Sequence, residues 1–260
     1  MKRKLLSALL TAALLVQPSF AARRVSVQVD GELLQHPSYV DQGTTYVPMR
    51  ALLDAFGGWD IHWDSESRSA VATSESARLT ANPADNIITL NDVSYSGFVT
   101  IEDGRTYIPL RLVTEALGGS AEWDTYLDGA AVTSPGAEHN AADLYWLSRI
   151  ISAESQGEAL KGQIAVGNVV MNRVASSTFP DTIASVVFDR KNGVQFEPVS
   201  NGTIYHTPTR QSVAAAQQVL NGAIVLEDAL YFYAPALSPG AWINANRVYS
   251  TTIGCHRFYL

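Results

Sequence analysis

The stretch Gly43-Thr44-Thr45-Tyr46-Val47-Pro48-Met49-Arg50 returns 61 residues later as Gly104-Arg105-Thr106-Tyr107-Ile108-Pro109-Leu110-Arg111. The match continues through Gly-Gly pairs at 57–58 and 118–119. After a one-residue deletion it reaches the Trp-Asp pairs at 63–64 and 123–124. Self-similarity at a fixed spacing marks a repeated structural unit. We therefore predict two copies of one unit that pack together, because a single copy has little core.

Each unit is predicted to have the order strand–strand–helix–strand. Alternating apolar residues over 25–29 predict a strand with one buried face, and Asp30-Gly31 is typical of a hairpin turn. Short helices are predicted over 50–56 and 111–117, because a proline stands near each start and a Gly-Gly pair follows each end.

Two pairs of residues recur at equivalent positions of the two units, and neither pair belongs to a recognisable catalytic motif. Trp63 and Trp123 are expected in the core, where aromatic residues dominate, although an indole can also stack on a sugar ring. The two recurring arginines, Arg50 and Arg111, are expected to cap a neighbouring helix or to pair with the aspartates of the Trp-Asp pairs.

The doubled Y-[VI]-P-x-R…GG…WD pattern, over about 25–135, resembles the stalk-like repeat named after the N-terminal domain of copper amine oxidases. Nothing resembling the oxidase catalytic domain follows, and the sequence has no His-x-His copper pair. The resemblance therefore implies a spacer or wall-attachment module, with neither copper nor amine oxidation.

Charge and cysteine content exclude several classes of protein. The 260 residues include 18 Lys+Arg and 25 Asp+Glu, a net charge of −7, so nucleic acid is not an expected partner. The single cysteine, Cys255, excludes an intramolecular disulfide and a cysteine-based zinc cluster. Residues 22–140 hold 7 basic and 17 acidic side chains, so attraction to anionic wall polymers is not expected either. We predict no cofactor and no metal.

The first 21 residues are typical of a secretory signal peptide. Three basic residues precede an apolar run over 5–16, and Ser19-Phe20-Ala21 supplies small residues for cleavage. That run is too short for a membrane-spanning helix. We predict a signal peptide over 1–21, the repeat domain over 22–135, a linker over 136–142 and a second domain over 143–260, with no membrane span after cleavage.

From residue 141 the apolar spacing becomes helical. Helices are predicted to run up to Glu154 and over 160–174, 181–188 and 209–221, with strands over 229–233, 247–253 and 256–259. The fold class is therefore α+β: a two-repeat β/α domain, then a mainly helical domain with a small terminal sheet.

Glu154 stands out among the acids of this half. It ends an apolar helix stripe, three and four residues after Ile151 and Ile150, so it lies on or beside the buried face. Loss of hydration there would raise its pKa and let it serve as a general acid. Glu158 would share that face if the helix continued past Gly157. The alternative is that both are ordinary solvated acids at a helix end.

Other chemistries have weaker signals. His206 and His256 lack close metal-ligand spacing, although distant loops can still bring ligands together. No nucleophile elbow or P-loop is present. Cys255 is expected to be a small buried residue.

Several motifs in order then resemble the cell wall hydrolase family of SleB/CwlJ type, the spore cortex-lytic enzymes. They include Ile150 to Glu158, Gly162 to Val166, Asn172-Arg173-Val174 and the closing Thr251 to Tyr259. The resemblance covers about 143–260. It implies a lysozyme- or transglycosylase-like domain that cleaves the bond between N-acetylmuramic acid (MurNAc) and N-acetylglucosamine (GlcNAc), with Glu154 as the family's catalytic glutamate. A repeat domain replaces the family's usual wall-binding module, so either spore cortex or vegetative wall remains open as the substrate.

In the implied transglycosylase route one carboxylate suffices, because the muramic C6 hydroxyl is the nucleophile. A lysozyme-like route needs a second carboxylate, for which Glu158 and Glu197 are the candidates. Arg173 is a candidate structural partner for a buried acid, and His256 is expected to be structural. The remaining residues expected to bind substrate or to support the site are Gln163, Asn172, Gln195, Phe196, Tyr205, Tyr231 and Trp242.

Two other functions stay open. One is a metal-assisted amidase or peptidase using His206 and His256, and the other is a non-catalytic wall-binding protein that works through the repeat domain. The expected partner is peptidoglycan or spore cortex glycan. The expected location is outside the cytoplasm: secreted, in the cell wall or in the region of the spore cortex and coat.

Overall fold

The structure is a computed structural model that describes residues 22–191 and 193–260. The predicted signal peptide lies outside the described residues. None of the helices in the described part combines the length and the apolar character that a membrane span needs.

The N-terminal half consists of two similar units. The strands and helix of the first unit are β1 (Arg23–Val29), β2 (Glu32–Leu33), β3 (Ser38–Asp41), β4 (Thr44–Pro48), α1 (Met49–Phe56), β5 (Asp60–Asp64) and β6 (Ser69–Thr73). An extra strand, β7 (Arg78–Asn82), joins the units. The elements of the second unit are β8 (Ile87–Leu90), β9 (Val93–Ser96), β10 (Thr100–Glu102), β11 (Arg105–Pro109), α2 (Leu110–Ala116), β12 (Ser120–Asp124) and β13 (Gly129–Thr133).

The two units share their sheets. One sheet has the order β10-β11-β4-β3-β1-β13-β12, with β2 beside β1, and the other has the order β5-β6-β7-β8-β9. The strand β1 of the first unit pairs in parallel with β13 of the second, Val27 opposite Ala130. The predicted packing of the two copies is therefore confirmed, and apolar side chains from both units form one core.

Two expectations for this half are wrong. Trp63 is 45% exposed and Trp123 is 40% exposed, because each projects from the outer face of its strand. Arg50 donates through Nη2 to the backbone oxygen of Ile61 at 2.6 Å, and no described ion pair joins it to Asp64 or joins Arg111 to Asp124. Local repetition indicated the register of these residues but not the face of the sheet on which they lie.

The C-terminal half is a helical body with a small sheet, so the predicted α+β class is confirmed. Its helices are α3 (Ala141–Ser155), α4 (Leu160–Ala175), α5 (Ile183–Val187), α6 (Glu197–Asn201), α7 (Arg210–Leu220) and α8 (Ala241–Asn246), with a 3-10 turn at Thr203–Tyr205. The sheet has the order β14-β16-β15, from β14 (Tyr231–Tyr233), β15 (Tyr249–Ile253) and β16 (His256–Tyr259). The predicted helices occur within a few residues of their expected ends, whereas α6 and α8 had not been predicted.

Helices α3, α4 and α7 pack against one another around a common core. Gly167 of α4 permits the close approach, since a Cβ at this position would come within 2.9 Å of side-chain atoms of Ile151 on α3 and Val219 on α7. The backbone oxygen of Asn140 begins the hydrogen bonding of α3, and its side chain accepts from the backbone N–H of Asp143 at 3.1 Å. This cap fixes where α3 begins and therefore where its last turn, which carries Glu154, lies.

Candidate active site

A cleft of about 640 Å³ opens in the C-terminal half. The end of α3, the start of α6, the segment after the 3-10 turn, the strand β14 and the start of β16 line it. The ionisable side chains at its surface are Arg149, Glu154, Arg173, Glu197, His206, Tyr233 and His256. A cleft of this size with a few convergent polar groups is typical of a ligand-binding site. A larger groove lies on the repeat domain and contains no predicted catalytic residue.

Glu154 lies in the last turn of α3 and faces this cleft. The pKa of its carboxyl group is raised to about 7, chiefly by burial and in addition by the negative charge of Glu197, while the positive charge of Arg173 lowers it. A carboxyl group with a pKa near neutrality can donate a proton and then recover one at the same pH. The geometry therefore gives Glu154 the properties of a general acid and base.

Arg173 carries a buried positive charge next to this site. Its side chain comes from α4 and is 4% exposed, and its Nε donates to the backbone oxygen of Leu230 at 2.8 Å. The guanidinium carbon lies 4.9 Å from the ring centroids of both Phe179 and Phe196, where cation–π attraction favours the charge. Burial nevertheless lowers the pKa of Arg173 to about 10. Aromatic rings and a backbone oxygen hold this cation in place, and its charge lowers the pKa of Glu154.

Glu158 does not share the face of Glu154, because α3 ends at Ser155. Its Oε1 accepts from the backbone N–H of Cys255 at 3.1 Å and lies 3.6 Å from Nδ1 of His256. The approach requires Gly254, since a Cβ there would collide with the carboxylate of Glu158. The carboxylate therefore holds the turn between β15 and β16 and does not line the cleft.

Gln163 and Asn172 also lie away from the cleft surface. The side chain of Gln163 is fully buried: its Nε2 donates to the backbone oxygens of Gln156 and Glu158, and its Oε1 accepts from the hydroxyl of Ser212. This amide fixes the chain just after Glu154, which is a supporting role without contact to a ligand. Asn172 donates from Nδ2 to the backbone oxygen of Ala229 at 3.0 Å and so anchors the segment before β14.

The other predicted site residues divide between the cleft and the surface around it. Gln195 and Phe196 line the cleft. Tyr205 is exposed and its ring packs 5.9 Å from that of Trp146, at the domain boundary. Tyr231 and the exposed Trp242 lie with their rings 6.3 Å apart in an aromatic group outside the cleft.

His206 and His256, the residues of the metal-dependent alternative, both line the cleft. Burial lowers the pKa of His256, and nearby Glu158 opposes the shift. Among the described residues, no group of three or more His, Cys, Asp or Glu side chains is arranged to hold a metal ion. Cys255 is exposed in the turn between β15 and β16, so the expectation that it is buried is wrong.

Sequence reasoning missed some of the cleft walls. The hydroxyl of Ser152, the amide of Asn201 and the phenol of Tyr233 come from α3, α6 and β14. The one available signal was the Glu197-Pro198 step, since proline favours the first turn of a helix and α6 begins there. The loop that contributes Leu237 and Ser238 had no comparable signal.

Comparison with known proteins agrees with both halves of this architecture. The family model described as Cell Wall Hydrolase matches residues 157–259, and that of the Copper amine oxidase N-terminal domain matches residues 28–128. A cell wall hydrolase, CwlJ, of Oceanobacillus iheyensis is 30% identical over 112 residues, which are 40% of this chain and 78% of that protein. The chain belongs to the cell wall hydrolase family.

Further relatives of this chain carry more specific names. A spore cortex-lytic enzyme of Bacillus cereus is 31% identical over 126 residues, covering 48% of this chain and 47% of that enzyme. The catalytic domain of the germination-specific lytic transglycosylase SleB of Bacillus anthracis is 32% identical. That match covers 47% of this chain and 98% of that domain, with a TM-score of 0.43. The chain thus spans about half the length of the B. cereus enzyme.

The two resemblances drawn from the sequence are confirmed by these matches. The match to the cell wall hydrolase model begins at residue 157, three residues after Glu154. The role of Glu154 therefore rests on the motif in the sequence and on the geometry of the cleft.

Proposed function

We propose that this protein is an exported peptidoglycan-lytic enzyme that cleaves the glycosidic bond between MurNAc and GlcNAc, with Glu154 as general acid and base. The observation that carries the proposal is a carboxyl group with a pKa raised to about 7 inside a polar cleft. The relatives named as spore cortex-lytic enzymes support the same class of substrate, a glycan strand of peptidoglycan.

In the proposed reaction the protonated carboxyl of Glu154 donates its proton to the glycosidic oxygen as the bond from this oxygen to muramic C1 breaks. The C6 hydroxyl of the same muramic residue then bonds to C1 and gives its proton to the carboxylate. The product has a 1,6-anhydro end, and Glu154 is protonated again. No water is consumed, so one carboxylate suffices.

The positions of the neighbouring charges fit this cycle. Glu197 faces the cleft and favours the protonated form of Glu154 before the reaction. Arg173 stabilises the carboxylate that forms when the proton leaves, because it lowers the pKa of Glu154. Because the two neighbouring charges shift the pKa of Glu154 in opposite directions, that pKa stays near neutrality, where the protonated and the ionised carboxyl are both populated.

Glu197 is also the carboxylate that a hydrolytic route would use, since the carboxylate of Glu158 is engaged with the terminal hairpin. In that route Glu197 would activate water or attack C1, and the product would have a reducing muramic end. The two routes share the general acid but differ in their products.

The test is mass spectrometry of the soluble products that the protein releases from purified spore cortex and from vegetative peptidoglycan. We expect anhydromuramic ends from the wild type and none from the Glu154→Gln variant. Glu227→Gln, the same change at an exposed glutamate outside the cleft, is the matched control and should leave the products unchanged.

Other products would replace this proposal. Reducing muramic ends would establish hydrolysis and make Glu197 the first candidate for the second carboxylate. Free stem peptides that disappear after chelation would instead support the metal-assisted amidase. Unchanged activity of Glu154→Gln would contradict the role of this residue.

A further inference from the structure

The two units of the repeat domain are related by an approximate two-fold axis. Strands β4 and β11 pair antiparallel, with Val47 opposite Ile108. These two residues occupy equivalent positions of the repeat, 61 residues apart. An antiparallel pair of equivalent strands that meet at equivalent residues is related by a two-fold axis through that pair. Surface features next to this strand pair, on β4, β11 and the helices that follow them, are therefore expected to occur in both units.

Two grooves in the repeat domain are such counterparts. One, of about 880 Å³, lies between the start of β4 and the elements α2 and β12 of the other unit. The second, of about 370 Å³, lies between the start of β11 and the elements α1 and β5. Gly43, Arg111 and Trp123 line the first groove, and the equivalent residues Gly104, Arg50 and Trp63 line the second.

Each groove has an exposed indole on its wall. Trp123 is 40% exposed with the guanidinium of Arg23 5.6 Å from its ring centroid, and Trp63 is 45% exposed. Two exposed tryptophans at equivalent positions of two equivalent grooves of this size point to ligand binding. A flat indole packs against the C–H faces of a sugar ring, while an arginine at the groove wall donates hydrogen bonds to hydroxyl or acetamido oxygens.

We propose that these grooves are two related saccharide-binding sites for the glycan strand of peptidoglycan. The inference rests on the proposed function for the identity of the polymer. The balance of 7 basic and 17 acidic side chains over residues 22–140 disfavours a polyanionic occupant. It does not disfavour a glycan recognised by stacking and hydrogen bonds.

The first groove lies next to a hydrogen bond between the repeat domain and the catalytic domain. Trp123 and Asp124 are neighbours on β12, and Asp124 accepts a hydrogen bond from Trp146 of the catalytic domain at 2.6 Å. A glycan strand stacked on Trp123 is therefore held by a strand that is itself bonded to the catalytic domain. Two sites on one module also raise the effective concentration of a long polymer at the second site once it is bound at the first.

The grooves differ in charge. Glu115 and Glu122 line the first groove together with Arg23 and Arg111. The second is lined by Arg50, Arg105, His36 and His62 and by no acidic residue. His62 and Glu122 stand at equivalent positions. The second groove thus presents only neutral and basic side chains to a ligand, whereas the first presents both signs of charge.

The test compares binding to peptide-free glycan strands whose lactyl carboxyls are amidated, so that the probe is uncharged, by isothermal titration calorimetry, with the full-length Glu154→Gln protein as the non-cleaving parent. Trp63→Ala and Trp123→Ala are added singly and together. Val93→Ala is the matched control, because Val93 is 55% exposed on the same domain but lines neither groove. Thermal melting of each variant shows whether the fold is retained.

We expect each tryptophan variant to bind about tenfold more weakly than the parent, the double variant to lose more than either single one, and Val93→Ala to bind like the parent. Residual binding of the double variant is expected through the catalytic cleft. Equal affinity of the parent and the double variant would overturn the inference.

Tighter binding of free stem peptide than of glycan strands would also overturn it. The binding result is independent of cleavage: a wild type that releases no glycan fragments, with weakened binding of the tryptophan variants, would contradict the proposed function alone.

Discussion

The indole Nε1–H of Trp146 donates to Oδ2 of Asp124 across 2.6 Å, and both side chains are buried. The bond joins the repeat domain to the first helix of the C-terminal domain. The other carboxylate oxygen of Asp124 accepts from the backbone N–H groups of Tyr126 and Leu127 and so caps its own turn. Asp64, the equivalent residue of the first unit, caps the corresponding turn, and within the described part of the chain it makes no bond to the C-terminal domain. Of the two equivalent aspartates, Asp124 therefore also bonds across the interface between the domains.

This difference predicts unequal costs of the same substitution. Asp124→Ala should lower the free energy of unfolding by about 2–3 kcal/mol, because it leaves the buried indole N–H of Trp146 without an acceptor. Asp64→Ala removes only the turn cap and should cost about 1 kcal/mol or less. Urea unfolding measures both. Equal costs would contradict an energetic role for the bond between the domains.

The pKa of Glu154 predicts how stability depends on pH. The carboxyl titrates near 4.5 when exposed and near 7 in the folded protein, so the folded state binds the proton more tightly. Its stabilising contribution is complete below pH 4.5 and is lost as the pH rises through 7. Glu154→Gln should match the wild type in stability at pH 4 and exceed it at pH 8 by roughly 3 kcal/mol.

Urea unfolding at the two pH values tests this expectation, with the exposed Glu227→Gln as the control. A Glu154→Gln variant as stable as the wild type at pH 8 would mean that the wild-type carboxylate is not destabilised by burial. That result would also remove the physical basis for a general acid near neutral pH.

The charge of Glu197 predicts a shift in the pH dependence of lysis. Glu197 raises the pKa of Glu154, so Glu197→Gln should lower it. A general acid acts in its protonated form, and the alkaline limb of the activity profile should therefore move to lower pH, with activity on the acidic side largely retained. Rates of glycan release from pH 4 to pH 9 provide the measurement.

The same variant separates the two catalytic routes. If Glu197 is the second carboxylate of a hydrolase, its loss should reduce the rate about 100-fold or more at every pH rather than shift one limb. A profile identical to that of the wild type would show that Glu197 neither interacts with Glu154 nor takes part in the reaction.

Gly254 is predicted to tolerate substitution less well than another glycine with positive φ. Gly254 has a φ of +57° and Gly136 has a φ of +79°, so alanine is strained at both. A methyl group at Gly136 meets nothing, whereas at Gly254 it collides with the carboxylate of Glu158. We expect a loss of unfolding free energy of about 1 kcal/mol for Gly136→Ala and at least twice that for Gly254→Ala.

Thermal and urea unfolding of the two variants provide the comparison. Because Glu158 also accepts from Cys255, the Gly254→Ala variant should in addition expose the turn between β15 and β16 to faster amide hydrogen exchange. Similar losses of stability in both variants would indicate that backbone strain alone decides the cost.

Part of the site could be predicted from the sequence because it depends on patterns among neighbouring residues. Glu154 ends a stripe of apolar residues, and helical periodicity alone brings such a residue to the edge of the buried face. The same reasoning failed for Glu158, because a helix that stops at Ser155 changes the direction of every residue after it. Arg173 was recognised as a possible partner of a buried acid, but two of the rings around it, those of Phe196 and Tyr231, come from distant segments.

The sequence by itself determined the two repeated units, the main helices and the terminal strands of the second half, the α+β class and the family. These follow from periodicity, turn residues and motif spacing, which are properties of neighbouring residues. Only the tertiary structure decided that Trp63 and Trp123 face solvent, that among the described residues Asp124 but not Asp64 bonds to the C-terminal domain, and that Glu197 lines the same cleft as Glu154. The physical reason is that burial, desolvation and charge interaction depend on which distant segments pack together. Identical local patterns in the two units therefore acquire different surroundings.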